Sequence, residues 1–332
     1  MPDRREMIRT AIIGCGLIGQ KRAKSLGTSS LAMCCDQNPE RAAALASKYS
    51  GAKATVHWEE AVVHPDVDLV IVSTSHDALA VVAERAAAAG KHVLIEKPGA
   101  RRAAELDAVS SAAKRSGVCV RVGFNHRYHP AICKAREIID SGAIGPLMFL
   151  RGRYGHGGRP GYDREWRAVP EISGGGEAID QGMHLIDLAR WFLGDFSVVQ
   201  GFTHTYFWDM PVEDNAFFLL RTPGNHVAFL HATWTEWKNL FSLEIYGRQG
   251  KLEVTGLGGS YGTERLAHYQ MRPEMGPPDT VIYEYPHSDA SWNLEFAEFL
   301  DDIQLGRESR PGLADAQAAL RIIEQVYESR RL

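Results

Sequence analysis

The sequence predicts an α/β protein with two domains, an N-terminal doubly wound parallel sheet and a C-terminal α/β domain with an open, largely antiparallel sheet. Two observations lead to this prediction. In residues 8–124, apolar strands alternate with helical segments, which indicates a parallel sheet. In residues 198–285, strands follow one another with only short turns, which favours an antiparallel sheet with helices on one face. A chain of 332 residues is long enough for both domains.

Composition and charge exclude several classes of protein. The chain is 45% hydrophobic and 23% charged, and its net charge of −4 gives no reason to expect nucleic acid or an anionic membrane as a partner. No apolar run approaches the ~18 residues of a transmembrane helix, and the charged segment 1–9 has no apolar signal core. The odd number of cysteines, without a C-x-x-C pair, predicts reduced core residues in a cytoplasmic protein. These cysteines are Cys15, Cys34, Cys35, Cys119 and Cys133.

The first elements are a strand, a glycine turn and the start of a helix. Residues 8–13 are predicted to form a buried strand, and Gly14, Gly16 and Gly19 then fit the pattern G-x-G-x-x-G. In such a turn the first glycine permits the tight bend, the second lets a pyrophosphate approach the backbone, and the third lets helix and strand pack closely. The N-terminus of the helix then presents free N–H groups to the phosphates. The stretch therefore predicts a dinucleotide-binding site.

A second apolar strand over 31–35 is followed by Asp36, which lies 20 residues after Gly16. An acidic side chain at this position accepts a hydrogen bond from the ribose 2′-hydroxyl of NAD and repels the 2′-phosphate of NADP. Arg41 is the nearest basic residue that follows. We therefore predict NAD as the cofactor in preference to NADP. The alternative is a chance glycine turn with an exposed aspartate.

The rest of the first domain continues the alternation. Expected strands are 54–56, 69–73, 92–95 and 118–122, and expected helices are 39–49, 78–89 and 103–116. Lys97 follows the strand 92–95, at the carboxyl end where ligands bind in an open α/β sheet. A lysine in that crevice can hydrogen-bond a substrate hydroxyl or carbonyl. From its position alone, a solvated surface lysine is an equally good interpretation.

The pattern changes after residue 124. Expected elements are a helix over 130–140, a strand over 147–154, a glycine-rich aromatic loop over 155–173, a long helix to 193, the strands of 198–285, and closing helices over 292–305 and 313–329. The predicted domains are thus 1–124 for NAD binding and 125–332 for substrate binding and oligomerisation. Because the closing helices can cover only one face of the second sheet, we expect the other face to meet another subunit in a homo-oligomer.

The long helix carries the main candidate for acid–base chemistry. Asp180 and His184 are spaced i, i+4, and Asp187 follows three residues later, so all three share one face of an α-helix. Imidazole changes charge near physiological pH, and Asp180 can orient it or contact the substrate. The preceding glycines 174–176 permit close approach of cofactor or substrate. Two alternatives are a buried polar network that serves only stability and a metal site; since no further ligand is near, we expect no metal.

Candidate substrate contacts lie around the domain junction and the aromatic loop. Arginines suit a carboxylate or phosphate, and aromatic rings suit the face of a sugar or base. This mixture predicts a polyol, a sugar acid or a nucleotide sugar, although packing against a neighbouring subunit explains any single residue equally well. The expected substrate-binding residues are Asn125, Arg127, Tyr154, Trp166, Asp180 and His184.

Together these features resemble the Gfo/Idh/MocA family of NAD(P)-dependent oxidoreductases over nearly the whole chain. The resemblance rests on the glycine turn, on Glu96-Lys97-Pro98, on the segment 247–250, and on the pattern G-G-x-x-x-D-x-G-x-H that begins at Gly175. It implies a Rossmann domain, an α/β domain with an open sheet, and a catalytic trio of Lys97, Asp180 and His184. It also implies action on a sugar, inositol or sugar derivative, and assembly as a dimer or tetramer through the open sheet.

The resemblance and the glycine motif also define the expected cofactor contacts. These are Gly14, Gly16, Leu17, Ile18, Gly19, Asp36, Ser73, Thr74, His76, Glu96 and Lys97. The loop Thr74-Ser75-His76 departs from the family pattern, since many members carry Pro and Asn after the threonine.

Hydride transfer between NAD and a sugar-type alcohol or ketone is thus the leading hypothesis for the function. An NAD-dependent glycoside hydrolase, which would use NAD transiently without net redox, is the first alternative. A regulator that binds NAD without catalysis is the second. Accumulation of NADH with a free sugar distinguishes the dehydrogenase from both.

Overall fold

The computed structural model describes residues 7–329, and their contacts divide them into two compact units. The first unit comprises residues 7–124 and Trp292–Ala318, and the second comprises Asn125–Ser291 and residues 319–329. The chain therefore leaves the first unit at residue 124, and Trp292–Ala318 return to it. The functional domains expected over 1–124 and 125–332 stay predictions.

The first unit contains a sheet of six strands that are all parallel, in the order β3-β2-β1-β4-β5-β6. The strands are β1 (Arg9–Ile13), β2 (Ser30–Cys35), β3 (Lys53–Thr55), β4 (Leu69–Val72), β5 (His92–Glu96) and β6 (Val120–Gly123). The helices between them are α1 (Leu17–Lys24), α2 (Pro39–Ala46), α3 (Trp58–Val63), α4 (His76–Ala88) and α5 (Glu105–Ser116). Every residue of β4 is buried, as in a sheet covered on both faces. The predicted doubly wound parallel sheet is confirmed.

The second unit contains a mixed sheet of eight strands in the order β14-β13-β12-β11-β7-β10-β9-β8. Its strands are β7 (Leu147–Gly155), β8 (Val198–His204), β9 (Asn215–Arg221), β10 (Val227–Thr233), β11 (Leu240–Gly247), β12 (Gly250–Thr255), β13 (Glu264–Gln270) and β14 (Asp279–Tyr285). Only β7 and β10 pair in parallel; the other neighbours are antiparallel. The helices before β8 are α6 (Pro130–Asp140), α7 (Pro170–Ser173) and α8 (Met183–Leu193). The predicted open, largely antiparallel sheet is confirmed.

One face of the second sheet is covered and the other is open. Helix α8 packs against β7 and β10, and α6 packs against β12, β13 and β14. On the opposite face, Phe202, Leu219 and Phe229 of β8, β9 and β10 are exposed. Alternation of inward and outward side chains along each strand produces this difference between the faces.

The closing helices are α9 (Ser291–Leu305) and α10 (Leu313–Ser329). The expectation that both cover the second sheet is wrong for α9, whose Phe296 and Phe299 are buried in the core of the first unit with Ile12 and Leu69. Most of α10, residues 319–329, lies in the second unit, where Val326 packs against Gly201 of β8.

Buried ion pairs fix α9 in the first unit. The fully buried Arg22 of α1 donates to Glu96 (Nε–Oε1 2.5 Å) and to Glu295 of α9 (Nη1–Oε2 2.6 Å). Arg121 of β6, also fully buried, donates to Asp302 of α9 (Nη2–Oδ2 2.5 Å). The two guanidiniums need these carboxylates because an unpaired buried charge is strongly unfavourable.

The cysteines are all free thiols. Cys15, Cys34 and Cys35 are buried as expected, but Cys133 is exposed on α6, so its prediction as a core residue is wrong. Between residues 7 and 329, no helix is both long enough and apolar enough to span a membrane.

Candidate active site

The glycine turn joins β1 to α1. At two of its three glycine positions, neighbouring protein atoms leave no room for a side chain. Gly14 has a φ of 95°, and a Cβ on it would lie 2.4 Å from the carbonyl oxygen of Ser73. A Cβ on Gly19 would lie 2.0 Å from the carbonyl oxygen of Gly14. By contrast, no described atom lies within 4 Å of a Cβ on Gly16. Gly16 therefore borders open space next to the N-terminus of α1.

Asp36 follows β2 and is hydrogen-bonded to the glycine turn. Its Oδ2 accepts from the backbone N–H of Cys15 (2.8 Å), and its Oδ1 accepts from that of Asn38 (2.9 Å). These bonds fix the carboxylate beside the residue that precedes Gly16. Each carboxylate oxygen has a further lone pair, so Asp36 can still accept a hydrogen bond from a ribose hydroxyl.

The remaining cofactor candidates lie at the carboxyl ends of β4 and β5. The hydroxyl of Ser73 donates to the carbonyl of Gly14 (2.7 Å), which holds the glycine turn against the end of β4. His76 is buried at the start of α4. Glu96 is bound to Arg22, so its carboxylate has a structural partner, and the half-buried Lys97 follows it directly. Leu17 is exposed at the first position of α1.

In the second unit, the segment that carries Asp180 differs from the expected α-helix. Ala178–Gly182 form a π-helical turn, and α8 begins only at Met183. Asp180 and His184 are both buried. Asp187 pairs with Arg127 through two bonds (Oδ1–Nη2 2.6 Å, Oδ2–Nε 2.8 Å). Arg127, predicted to bind substrate, therefore has a buried carboxylate partner.

Sequence reasoning missed Arg167, which pairs with Asp180. Its Nε donates to Oδ2 of Asp180 (3.1 Å), and its guanidinium lies over the ring of Trp166, 4.5 Å from the centroid. Oε2 of Glu165 lies 3.7 Å from Nη1 of the same guanidinium. The nearby carboxylates, Asp180 first among them, raise the pKa of Arg167 against the opposing effect of burial. The only sign of this role in the sequence was a basic residue, Arg167, directly after the aromatic Trp166. The sequence does not show that its partner is Asp180, 13 residues further on.

His184 lies among buried aromatic side chains. The ring of His126 stacks on it at 3.7 Å between centroids, and Tyr154 meets it edge to face at 6.3 Å. Burial raises the pKa of Tyr154 well above its usual value, so this phenol stays neutral and can donate a hydrogen bond. Tyr261 accepts a hydrogen bond from the side chain of Gln181 (3.1 Å). The set can orient a polar ligand within an otherwise apolar environment.

The glycines before Asp180 have a different role from the expected one. A Cβ on Gly175 would lie 2.0 Å from the hydroxyl of Tyr327, and a Cβ on Gly176 would lie 2.0 Å from the carbonyl oxygen of Glu213. The buried carboxylate of Glu213 accepts from the N–H groups of Gly176 and Ala178 (3.1 Å each) and from Tyr327 (2.7 Å). These glycines therefore permit close approach of protein groups that hold the turn, and the prediction that they admit cofactor or substrate is wrong.

Two family models match the chain in succession. The model described as an oxidoreductase family with an NAD-binding Rossmann fold matches residues 8–124, and the C-terminal domain model of the same family matches residues 132–253. The chain belongs to the Gfo/Idh/MocA family. It is accordingly an NAD-dependent oxidoreductase, and its first unit is the Rossmann domain.

Individual relatives of this Gfo/Idh/MocA chain span nearly its full length. Levoglucosan dehydrogenase of Pseudarthrobacter phenanthrenivorans is 28% identical over 97% of this chain and 96% of its own. Inositol 2-dehydrogenase of Salmonella typhimurium is 28% identical over 90% of this chain and 87% of its own. A solved structure of levoglucosan dehydrogenase with NADH and levoglucosan has a TM-score of 0.88 at 25% identity, with 98% and 97% of the two chains covered.

The Rossmann domain of this family member fits NAD. The open space at Gly16 can receive a pyrophosphate that a larger side chain would obstruct, and Asp36 is fixed beside the same turn. The individual contacts of the eleven residues expected to bind the cofactor stay predictions. Within the described residues, no group of three His, Cys, Asp or Glu side chains is arranged to hold a metal ion.

Proposed function

We propose that this oxidoreductase transfers a hydride between NAD and a hydroxyl-bearing carbon of a sugar, an inositol or a sugar derivative. The observation that carries the substrate class is the agreement among relatives of nearly full length, which are named for levoglucosan, inositol and xylose. The aromatic and charged side chains around His184 support it, since such mixtures recognise polyhydroxylated rings.

Three residues would carry the chemistry. NAD, when bound, would supply the acceptor for the hydride. His184 would take the proton of the substrate hydroxyl, and Lys97 would hydrogen-bond the same oxygen and stabilise the charge that develops on it. Asp180, held by Arg167, would orient the substrate or His184. The roles of Lys97 and His184 as proton acceptor can be exchanged.

The other expected substrate contacts differ in how they support this proposal. Tyr154 packs beside His184, and the half-buried ring of Trp166 lies under the guanidinium of Arg167. Both therefore remain good candidates for contact with the substrate. Asn125 and Arg127 are buried and engaged with other side chains of the protein, so a role in shaping the site fits them better than direct contact.

A substrate screen followed by two variants tests the proposal. The purified protein is incubated with NAD and a panel of sugars and inositols, and NADH formation is followed by absorbance. With a turned-over substrate, Lys97→Ala and His184→Ala should each lower kcat by ~10²–10⁴-fold while NAD affinity stays nearly unchanged. Lys114→Ala, at an exposed site on α5, is the matched control and should behave like the wild type.

Four outcomes would contradict parts of the proposal. Near-normal turnover in both variants removes these side chains from the reaction. Loss of NAD binding reassigns them to the cofactor or to folding. Cleavage of aryl glycosides without net NADH would establish the glycoside hydrolase instead, and NAD binding without turnover of any substrate would favour a regulator.

We further propose that the open face of the second sheet forms a homo-oligomer interface. Phe202 is 80% exposed, and Leu219 and Phe229 lie on the same face, which is a large apolar area for a solvent-facing sheet. Light scattering at micromolar concentration should show a dimer or tetramer, and Phe229→Glu should weaken it. Leu305→Glu, at an exposed apolar site in the first unit, is the control. A monomeric wild type would contradict this proposal.

The cytoplasmic location expected from the sequence also stays a prediction. Fractionation of the cells that produce the protein tests it directly.

A further inference from the structure

A second histidine lies face to face with the histidine proposed to move the proton. The rings of His126 and His184 are 3.7 Å apart between centroids and 27° from parallel. Their exposed fractions are only 6% and 5%, so both rings are buried in the protein interior. His126 precedes α6, whereas His184 lies in the first turn of α8, and the contact therefore joins two separate elements of the second unit.

A chain of hydrogen bonds fixes the orientation of His126. Ser291 donates its hydroxyl proton to Oδ1 of Asp289 (2.6 Å) and accepts from Nδ2 of Asn125 (2.8 Å). Because the amide nitrogen of Asn125 points at Ser291, its Oδ1 faces His126 and accepts from Nδ1 of that ring (3.3 Å). The chain thus selects one orientation and one donor nitrogen for His126.

Other rings close off the remaining sides of His126. Tyr154 meets it at 5.2 Å and 62°, His129 at 5.5 Å and 70°, and Phe241 at 6.1 Å and 54°. His129 is itself fixed by Glu264, at 3.0 Å between Nδ1 and Oε2. These ring contacts restrict movement of His126 away from His184, since side chains in packed interiors sit in preferred rotamers.

We propose that His126 is a positioning residue for His184, and that its fixed ring serves as a platform that holds the His184 imidazole in the plane needed for proton transfer. The inference rests on the proposed function, in which His184 exchanges a proton with the substrate. A flat ring against one face restricts rotation of the His184 side chain while leaving its edge for the substrate. Misplacement of a reacting group by about 1 Å can cost ~10²-fold in rate, so such a platform has a measurable effect.

Two substitutions at His126 separate stacking from mere filling of space. His126→Leu keeps an apolar side chain of similar bulk but removes the flat ring, whereas His126→Phe keeps a ring that can stack. With the substrate found by screening, His126→Leu should lower kcat by ~10–100-fold with KM and NAD affinity within about twofold of the wild type. His126→Phe should recover most of the lost kcat. His268→Leu, which removes another buried histidine of the second unit, is the control and should leave kcat unchanged.

Equal loss of kcat in His126→Leu and His126→Phe, or normal kcat in His126→Leu, would overturn the inference. A second measurement does not depend on turnover. In protein labelled at histidine, the His184 ring protons should be shifted upfield by the stacked ring, with assignment from His184→Asn. The shift should persist in His126→Phe and disappear in His126→Leu.

The two measurements keep the inference apart from the proposed function. If no sugar or inositol reduces NAD, the proposed function fails, and the nuclear magnetic resonance comparison still decides whether His126 holds the His184 ring. An identical His184 spectrum in the wild type and His126→Leu overturns the platform whatever the activity. Retention of the shift in His126→Phe supports it.

Discussion

Replacing Gly16 with alanine separates cofactor binding from folding in the Rossmann domain. The new methyl group meets no described atom within 4 Å, and the backbone at Gly16 is extended (φ −69°, ψ −161°). Folding should therefore tolerate Gly16→Ala, and the more restricted unfolded chain should add ~0.4–1 kcal/mol of stability. Gly19→Ala is the contrast: its methyl would lie 2.0 Å from the carbonyl oxygen of Gly14, and relieving that overlap should cost about 1–3 kcal/mol.

Although Gly16→Ala should not harm folding, it should weaken the binding of NAD. If the pyrophosphate occupies the space at Gly16, the methyl group crowds it, and overpacking of about 1–3 kcal/mol raises the Kd by roughly 5- to 150-fold. Thermal unfolding without cofactor measures the first effect, since bound NAD would itself raise the Tm. Titration with NADH, followed by its fluorescence, measures the second. Gly16→Ala that binds NADH as tightly as the wild type would falsify the assignment of this space to the pyrophosphate.

Three further substitutions test other contacts. Asp36→Ser should weaken NAD binding by about 10- to 150-fold, since a charged hydrogen bond contributes ~1.5–3 kcal/mol. The substitution should also reduce discrimination against NADP. If the wild type binds NADP more tightly than NAD in parallel titrations, this prediction is wrong. Arg22→Met leaves two buried carboxylates without their shared guanidinium, so it should destabilise the protein by about 3–5 kcal/mol, and an unchanged denaturation midpoint argues against the need for that ion pair. Arg167→Ala should lower kcat by roughly 10- to 100-fold because Asp180 is no longer held, and Arg167→Lys should recover part of the loss. A wild-type kcat for Arg167→Ala in steady-state kinetics would show that Arg167 does not position Asp180 for the reaction.

The fold was predictable wherever the information is local. The buried strand β4 and the glycine turn can each be recognised from a few neighbouring residues. Buried parallel strands need continuous apolar side chains, and the turn needs particular glycines. The return of α9 to the first unit was not predictable. It depends on the ion pair between Glu295 and Arg22, which lie 273 positions apart in the sequence. A glutamate on an amphipathic helix gives no indication of so distant a partner.

The candidate site shows the same limit. The residue types at Asp180 and His184 indicated acid–base chemistry, but the π-helical turn and the bond from Arg167 arise from tertiary packing. The glycines at 175 and 176 illustrate a subtler failure. The sequence shows that a side chain is absent there, but not which neighbour occupies the freed space; that neighbour proved to be Glu213 with Tyr327.

The position of α9 has a consequence for synthesis on the ribosome. Arg22 and Arg121 are made early, but the carboxylates of Glu295 and Asp302 that neutralise them emerge only after the whole second sheet has been translated. Although domains generally fold in order from the N-terminus, this Rossmann core cannot complete its charge pairing until the chain is nearly finished. A fragment that ends at residue 124 would lack α9, so Arg121 would lose its partner Asp302 and Arg22 would keep only Glu96. The nascent first domain therefore stays incomplete until Trp292–Ala318 have been made.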